Sequence, residues 1–361
     1  MVELGAQVVH GRQCVTWDIL RASGLEARVL PRSEELQITV ADRHVSLSAF
    51  GSLPLAPWQV AGQLRVAGSA DVVLAEALAG VGLDGPAALI AAEWMTQACA
   101  GDPNDVSAAG LAMASGLAAD AGEEWMVVDG YDWVPRWLAD GVEVRLACPA
   151  RRVAWRPGSV EIDTLHGLLR AQVAVITVPP TVVAADLLTF DPPLPRTKSV
   201  TAAGLRLGDA IVVAAELATP AQRSTHVLSA DGRGGLWQST GGSHLLLGVA
   251  KGSAAGTLRA AAEAPAELES LLATLLPWYR RGSLERVHVA DWGRDRWSLG
   301  GYSYPRAGHL GLGRAWAAPV SRTLFFAGEA TGGAEGGGMV SAALDSGRRA
   351  AAEIQAEARP C

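Results

Sequence analysis

The fold is decided by the C-terminal stretch TLFFAGEAT (Thr323–Thr331), GGAEGGG (Gly332–Gly338) and MVSAALDSGRRAA (Met339–Ala351). Its first part is an apolar run with the length of a buried strand, and its last part has the spacing of a helix. The segment between them is too rich in glycine for an ordinary connection. Because a helix N-terminus presents unpaired N–H groups and the positive end of the macrodipole, this junction is suited to anionic or electron-rich groups.

The composition indicates a compact folded chain. The sequence has 361 residues, of which 49% are hydrophobic and 19% charged, and this length is enough for two domains. A net charge of −7 argues against nucleic acid as a partner, because phosphate binding needs a concentrated basic surface. No apolar run is long enough to span a bilayer, and the first residues lack a signal-peptide pattern. We therefore expect a cytoplasmic protein with no membrane partner.

Neither cysteines nor histidines indicate a metal centre or a disulfide. The four cysteines lie far apart without CxxC spacing, which favours reduced thiols: Cys14, Cys99, Cys148 and Cys361. The seven histidines are scattered without the spacing of metal ligands. No metal is therefore expected.

The rest of the chain alternates between predicted helices and strands. Helices are predicted at 12–25 with an end at Gly24, within 70–120, after Gly130, and at Pro265–Leu275. Within 70–120, Asp102–Asp105 interrupts the helical spacing, and Ser107 is the expected N-cap.

Strands are predicted from short apolar runs bounded by turn residues. The first runs through residues 1–11 with a turn at Gly5–Ala6, and the others are Val142–Leu146, Arg152–Trp155, Ser159–Asp163, Val173–Val178, Ile211–Ala215, Leu236–Ser239 and Leu245–Val249. The last three indicate a second, largely antiparallel sheet.

Several stretches, in order along the chain, resemble segments of the flavin monoamine oxidase superfamily, which includes polyamine oxidases and L-amino acid oxidases. Besides the C-terminal stretch they are Val2–Gly11, Val127–Trp133, Cys148–Val153, Val175–Pro180, Phe190–Pro195 and Asp291–Tyr302. The resemblance implies an α/β fold: an incomplete Rossmann-like FAD-binding domain plus an α+β substrate domain with a mainly antiparallel sheet. The FAD-binding domain is expected at 1–30, 120–190 and 285–361, and the substrate domain at 31–119 and 191–284.

The same resemblance implies a non-covalent FAD, because Gly301 stands where some members carry a flavin-linking cysteine. The implied FAD-binding residues are Gly5, Ala6, Gln7, Val8, Val153, Trp292, Gly328, Glu329, Gly338, Met339 and Val340. The main chain of Val153 is expected to contact adenine, and Glu329 to accept a hydrogen bond from the ribityl or pyrophosphate region.

Trp292 and Tyr302 are the side chains that the resemblance places beside the substrate and assigns to catalysis. The substrate C–H bond is expected over flavin N5, and the N–H groups of Met339 and Val340 are expected to stabilise charge on the reduced flavin. A role as ordinary core aromatics is the alternative interpretation of both rings.

One segment of the family has no counterpart in this sequence. No strand followed by GxGxxG and a helix occurs before residue 50. That unit holds the FAD pyrophosphate on its helix N-terminus, and a βαβ unit takes about 30 residues or more. We expect a split enzyme, in which this large subunit forms a heterodimer with a small GxGxxG-containing subunit. A start of the sequence that was assigned too far downstream is the alternative.

Two side chains near the flavin also differ from the family. Val212 aligns with a lysine that most members hold near flavin N5, and Met339 aligns with the second aromatic of a pair of which Tyr302 is the first. Both replacements argue against fast reoxidation by oxygen and against simple primary amines as substrates. They leave hydride transfer possible, because the flavin itself accepts the hydride.

The sequence thus predicts the large subunit of an FAD-dependent amine or amino-acid oxidoreductase, in which hydride transfer from the substrate C–H to flavin N5 gives an imine. Two alternatives stay open at this point. One is a flavin-dependent dehydrogenase or desaturase of another substrate class, and the other is a non-catalytic scaffold subunit of a flavoprotein complex.

Overall fold

The computed structural model describes residues 2–12, 14–30, 36–40, 43–46, 71–80, 85–118, 124–332 and 337–358. Most of the glycine-rich segment (333–336) and parts of the expected substrate domain lie outside these ranges. The helices within them are α1 (Val15–Ser23), α2 (Leu74–Gly80), α3 (Gly85–Cys99), α4 (Ala108–Ala118), α5 (Trp133–Leu138), α6 (Pro180–Ala184), α7 (Arg196–Gly204), α8 (Ser253–Ala262), α9 (Pro265–Leu275), α10 (Leu312–Ala317) and α11 (Val340–Ala358).

Predicted helix ends that depend on single residues are confirmed. Helix α1 ends at Gly24, whose φ of +71° is a conformation that glycine adopts without strain. The Ser107 hydroxyl accepts the N–H of Gly110 at 2.8 Å, as an N-cap does at the start of α4. Helix α9 has the predicted bounds, with Pro265 in its first turn.

The largest sheet has seven strands and corresponds to the predicted second sheet. In spatial order the strands are β15 (Leu284–Asp291), β11 (Ala210–Leu217), β14 (Leu245–Lys251), β13 (Leu236–Ser239), β12 (Thr225–Ser229), β3 (Gln37–Val40) and β4 (Arg43–Ser46). All neighbours are antiparallel except β12 and β3, which are parallel. The sheet is therefore mixed and mainly antiparallel.

The two faces of β11 pack against different parts of the chain. Ile211, Val213 and Ala215 lie in one core with side chains of α8 and α9. Val212 and Ala214 point to the other face, where Val2, Leu4 and Trp292 cover them. This alternation follows from the period of two in a strand, and it places Val212 on the face where the sequence predicts the site.

Three smaller sheets complete the structure. A four-stranded sheet has the order β10 (Thr189–Asp191), β6 (Ala150–Arg156), β7 (Ser159–Thr164) and β8 (Gly167–Ala171). A three-stranded sheet has the order β1 (Val9–His10), β5 (Glu124–Val127) and β2 (Ala27–Val29). A parallel pair joins β16 (Leu324–Phe326) to β9 (Ala174–Ile176).

Two strand predictions are wrong. Of residues 2–11, the described part of the predicted first strand, only Val9–His10 pairs, with β5. Residues Val142–Leu146 form no strand, and their apolar side chains are exposed: Val142 by 62%, Val144 by 57% and Leu146 by 84%. The physical reason is that a strand needs a neighbour for its main-chain groups, and within the described ranges no strand lies beside this segment.

The division into two domains stays a prediction. The proposed boundary at 285 falls at the beginning of β15, which pairs with β11 along its whole length and so belongs to the seven-stranded sheet. Arg259 of α8 holds the two strands together at one end, because its guanidinium contacts Asp209, which precedes β11, at 2.6 Å and Asp291, the last residue of β15, at 2.7 Å. None of the helices in the described ranges is both long and apolar enough to cross a membrane.

Candidate active site

Strand β16 delivers the first elements of the site. Its three residues are 0–1% exposed, and the N–H of Ala327 continues the pairing with β9 by donating to Ile176 O at 3.0 Å. The chain then turns at Gly328, whose φ of +115° favours glycine strongly over any other residue. The Gly328 N–H donates to Ser346 Oγ of α11 at 2.8 Å, so the strand and the C-terminal helix hold each other at this turn.

Glu329 joins the end of β16 to two other segments, which lie 26 and 9 positions away. Its carboxylate accepts hydrogen bonds from Ser303 N at 3.1 Å, from Ser303 Oγ at 2.6 Å and from Gly338 N at 2.6 Å. Charge-assisted bonds of this kind are stronger than neutral ones. Glu329 therefore fixes the end of β16 relative to Tyr302 and to the start of α11. A contact of Glu329 with the ribityl or pyrophosphate region stays a prediction.

Tyr302 and Gly338 lie in direct contact. A Cβ atom at Gly338 would lie 2.9 Å from Cδ2 of Tyr302, and the φ of Gly338 is +80°, so both space and conformation require glycine. Met339 and Val340 follow immediately, at the first turn of α11. Their N–H groups are among the four that an α-helix leaves without an intrahelical acceptor.

Trp292 packs against the N-terminal segment. Its indole Nε1 donates to Leu4 O at 2.7 Å, and Gly5 lies against its ring. Val212, which is 4% exposed, belongs to the same apolar cluster. The predicted residues Gly5, Trp292 and Val212 thus lie together.

The other predicted cofactor residues lie in different surroundings. Gln7 accepts a bond from Gln238 at 3.3 Å, Ala6 is exposed and Val8 is half-buried. Val153 is 1% exposed, and its strand β6 lies between β10 and β7, so its main chain is flanked by strands on both sides. The structure shows Val153 as a core residue, and its adenine contact stays a prediction.

The sequence interpretation missed a group of polar contacts around Tyr302. The Tyr302 hydroxyl donates to Ala98 O at 2.8 Å, and Lys251 Nζ donates to the same hydroxyl at 3.0 Å and to Gln97 O at 2.6 Å. The only signal in the sequence was the rarity of lysine, since Lys251 is one of two. Its partners lie 51 and 154 positions away, so no local pattern could have identified them.

These residues fit part of the cradle of a flavin. Glycine main chain at Gly328 and Gly338 permits close approach, the start of α11 offers N–H donors, and Trp292 and Tyr302 offer aromatic faces. This set suits the ring end of the cofactor. The described residues contain no GxGxxG turn for the pyrophosphate end.

Comparisons with known proteins identify the family of this chain. The sequence model of the family described as flavin-containing amine oxidoreductase matches residues 83–355, about three quarters of the chain. Polyamine oxidase 4 of Oryza sativa subsp. japonica is 31% identical over 248 residues, which cover 65% of this chain and 50% of that protein. Lysine-specific histone demethylase 2 of Homo sapiens is 26% identical over 257 residues, which cover 65% and 31%. The chain thus spans about half the length, or less, of these curated relatives.

Solved structures show the same fold at lower identity. A triple mutant of putrescine oxidase, redesigned in its cofactor binding, superposes with a TM-score of 0.83 at 20% identity, over 99% of this chain and 88% of that one. Cyclohexylamine oxidase from Brevibacterium oxydans IH-35A superposes with a TM-score of 0.78 at 19% identity, again over 99% and 88%. The mixed α/β fold is therefore that of amine oxidase structures.

Proposed function

Because this chain belongs to the flavin-containing amine oxidoreductase family, we propose that it forms the ring-binding part of an FAD-dependent enzyme that oxidises an amine or amino acid. FAD, held without a covalent bond, supplies the acceptor for a hydride from the carbon next to the amine nitrogen, which leaves an imine. The residues of this chain bind and orient the two reactants.

The junction made by Glu329 is the observation that carries the proposal. One carboxylate accepts three hydrogen bonds and thereby holds Tyr302 against Gly338 and the start of α11. An aromatic wall and a set of main-chain donors are fixed relative to each other before any ligand binds. Such preorganisation is what orientation of a substrate over a flat cofactor requires.

Tyr302 and Trp292 act in this proposal as walls and not as proton carriers. The Tyr302 hydroxyl is bonded to Ala98 O and Lys251, and the Trp292 N–H is bonded to Leu4 O. What each leaves for a substrate is its ring face. Exclusion of water by these rings favours the neutral amine, the form from which a hydride can leave, because burial disfavours a charged group.

Reduction of the bound flavin in the absence of oxygen tests the proposal. The FAD-loaded protein is mixed with primary, secondary and amino-acid amines, and the loss of oxidised-flavin absorbance is followed. Reduction by at least one amine class, slowed by Tyr302→Ala, is the expected result. A flavin-loaded protein that none of these amines reduces would refute amine oxidation, and a protein that retains no flavin would favour a scaffold role.

A dehydrogenase that passes its electrons to an acceptor other than oxygen is the second candidate. It is favoured by Val212, which is 4% exposed among Val2, Leu4 and Trp292, where most family members hold a lysine. In this candidate, Val212→Lys raises the rate at which oxygen reoxidises the reduced flavin. Val212→Met does not, because methionine is similar to lysine in bulk but carries no charge. Equal reoxidation rates in the three proteins would remove this candidate.

The proposal also includes the source of the phosphate-binding unit. Seven of the exposed large hydrophobic side chains fall between 128 and 146: Val128, Trp133, Trp137, Leu138, Val142, Val144 and Leu146. A cavity of about 370 Å³ between α1, α5 and α11 adjoins Trp137 and Leu138. Contiguous exposed apolar surface on a folded protein commonly marks an interaction site. We assign it to a GxGxxG-containing βα unit on a small partner chain.

Charged substitutions in this surface test the assignment. Val144→Glu and Leu146→Glu should weaken association with the small GxGxxG-containing protein by at least about tenfold and lower FAD retention in parallel. Leu165→Glu is the matched control, because Leu165 is also exposed, by 53%, on the hairpin between β7 and β8. Stoichiometric, tight FAD binding by a monomer of this chain alone would overturn the assignment.

A further inference from the structure

Lys251 adds a positive charge to the site that the family resemblance does not account for. It is the last residue of β14, and its Nζ lies 3.0 Å from the Tyr302 hydroxyl and 5.2 Å from the centroid of the Tyr302 ring. The register of the sheet pairs Lys251 with Ala210 and Val212 with Val249, so Lys251 does not occupy the position of the family lysine. It enters the site at the hydroxyl end of the aromatic wall.

The directions of the hydrogen bonds around Lys251 are unambiguous. An ammonium group only donates, so the Tyr302 oxygen must accept from Lys251 while its own proton goes to Ala98 O at 2.8 Å. The second N–H of Lys251 goes to Gln97 O at 2.6 Å. Within the described ranges the third N–H has no acceptor.

No carboxylate of the described residues forms an ion pair with Lys251. The acid closest along the hydrogen-bond network is Glu93, and Gln97 separates the two: its Nε2 donates to Glu93 Oε1 at 2.8 Å, and its Oε1 accepts the main-chain N–H of Lys251 at 3.1 Å. Burial raises the pKa of Glu93 to about 7, so even this distant acid is only partly ionised near neutral pH. A half-buried ammonium without a counter-charge is ready to bind an anion.

A purely structural role for Lys251 is the competing explanation. Gln97 and Ala98 lie in the last turn of α3, where carbonyl groups have no intrahelical donors and attract a positive charge. Such a cap accounts for the contact with Gln97 O. It accounts neither for the donation to the Tyr302 hydroxyl nor for placement beside the ring that faces the substrate.

We propose that Lys251 selects the substrate by binding an anionic group, a carboxylate, at the end remote from the reacting amine. This inference rests on the proposed function and names its substrate class: amino acids whose carboxylate reaches past the Tyr302 ring. A diamine or polyamine would place a second ammonium group next to the ammonium group of Lys251. Two like charges in contact repel strongly where water is excluded. The chain is similar to polyamine oxidases and to putrescine oxidase, yet this charge would exclude such substrates.

Matched straight-chain amines test the selection. Butylamine, 1,4-diaminobutane and 4-aminobutanoate share one amine end and a four-carbon chain and carry a neutral, a positive and a negative group at the other end, and their longer homologues extend the series. The measured quantity is the second-order rate constant of anaerobic flavin reduction by each compound. The wild-type protein should prefer the carboxylate to the diamine by at least about tenfold, and Lys251→Met should lower this ratio by about tenfold or more. Lys251→Arg should restore the preference.

A binding measurement makes the inference independent of turnover. Butanoate and hexanoate, which have no reacting amine, should raise the unfolding temperature of the wild-type protein and not that of Lys251→Met. Arg170→Met is the control, because it removes an exposed positive charge from β8, where its partner is Glu161. If butanoate protects the wild-type protein but no amine reduces the flavin, the proposed function fails and the anion site stands.

Two results would overturn the inference. One is a wild-type preference for the diamine over the carboxylate. The other is a Lys251→Met protein that is less stable but keeps the wild-type substrate ratio and the protection by butanoate, which is the behaviour of a helix cap.

Discussion

Val142–Leu146 alternates apolar and charged residues, whereas Ile211–Ala215 is an uninterrupted apolar run; both patterns predict a strand, and only the second segment lies in one. Ile211, Val213 and Ala215 are 0% exposed in β11, between two antiparallel neighbours. Val142 and Leu146 are exposed by 62% and 84% and pair with nothing in the described ranges. The difference shows that either apolar pattern indicates the capacity to form a strand, whereas neighbours decide whether the strand exists.

Charged substitutions at the centres of the two segments should give the largest contrast. An aspartate at Val213 would be a buried, unpaired charge, so Val213→Asp should lower the free energy of unfolding by more than about 4 kcal/mol. Val144→Asp, at a side chain 57% exposed, should change it by less than about 0.5 kcal/mol. Urea denaturation followed by tryptophan fluorescence measures both.

Two milder substitutions at the same positions keep the test informative if Val213→Asp does not fold. Val213→Thr should cost about 1–3 kcal/mol for a buried hydroxyl, and Val144→Thr should be neutral. Equal losses at the two positions would mean that Val142–Leu146 is packed as tightly as β11, and the contrast between the segments would disappear.

Strand β16 is an intermediate case, because it is fully buried yet has β9 as its only strand neighbour in the described ranges. Side chains replace the missing neighbours: Arg349 donates to Phe326 O at 2.6 Å, and Glu329 fixes the end of the segment. Glu329→Ala would leave donors of Ser303 and Gly338 unpaired, so we expect a loss of about 2–4 kcal/mol and weaker FAD retention.

Glu267→Ala is the matched control for that prediction, because Glu267 is exposed on α9. Glu329→Gln should lie between the wild-type protein and Glu329→Ala, since it keeps an acceptor but not the charge. Unchanged stability and FAD content in Glu329→Ala would show that β16 does not depend on this junction.

The features that the sequence predicted well depend on few, local residues. Gly24, Ser107 and Pro265 end or begin helices through their own backbone preference or hydroxyl, so each was visible without tertiary information. Sheet partners are different, because the parallel pairing of β3 with β12 joins residues almost two hundred positions apart. No periodicity encodes such a pairing.

The residues of the site divide in the same way, into those that local motifs identified and one that only tertiary contacts reveal. Tyr302, Gly338 and Glu329 were identified from motifs, and the structure brings these three together. Lys251 lies outside every segment that resembles the family, so no motif identified it. Its relation to Tyr302 arises only when β14 and the segment between β15 and α10 fold onto α3.

Lys198 is a buried titratable side chain beside β16, so the pH dependence of stability tests the buried part of the molecule. It is 4% exposed, donates to Trp316 O, and its Nζ lies 3.7 Å from the ring centroid of Phe326 in β16. Burial, assisted by repulsion from Arg349, lowers its pKa from 10.5 to about 7. Between these values the unfolded chain binds more protons than the folded one, so stability rises with pH, by up to about 1.4 kcal/mol per unit.

Urea denaturation at several pH values from 7 upwards measures this slope. Lys198→Met should flatten it, because the group that titrates is gone. Arg196→Met removes an exposed positive charge from the same helix, α7, and should leave the slope in place. A Lys198→Met protein with the wild-type slope would assign the pH dependence to other groups.

The smallest change in stability is expected in Val142–Leu146, because this segment has no strand neighbour in the described ranges whose contacts could be lost. Val142→Thr, Val144→Thr and Leu146→Thr should each alter the free energy of unfolding by less than about 0.5 kcal/mol, while threonine keeps the capacity to pair as a strand. The fluorescence of an apolar dye such as ANS should nevertheless fall clearly in the triple variant, because three side chains of the exposed apolar surface are replaced. Leu165→Thr, outside this surface, should leave the dye signal near that of the wild-type protein. If the triple variant binds as much dye as the wild-type protein, these three side chains are covered in solution, and the unpaired segment has found a neighbour after all.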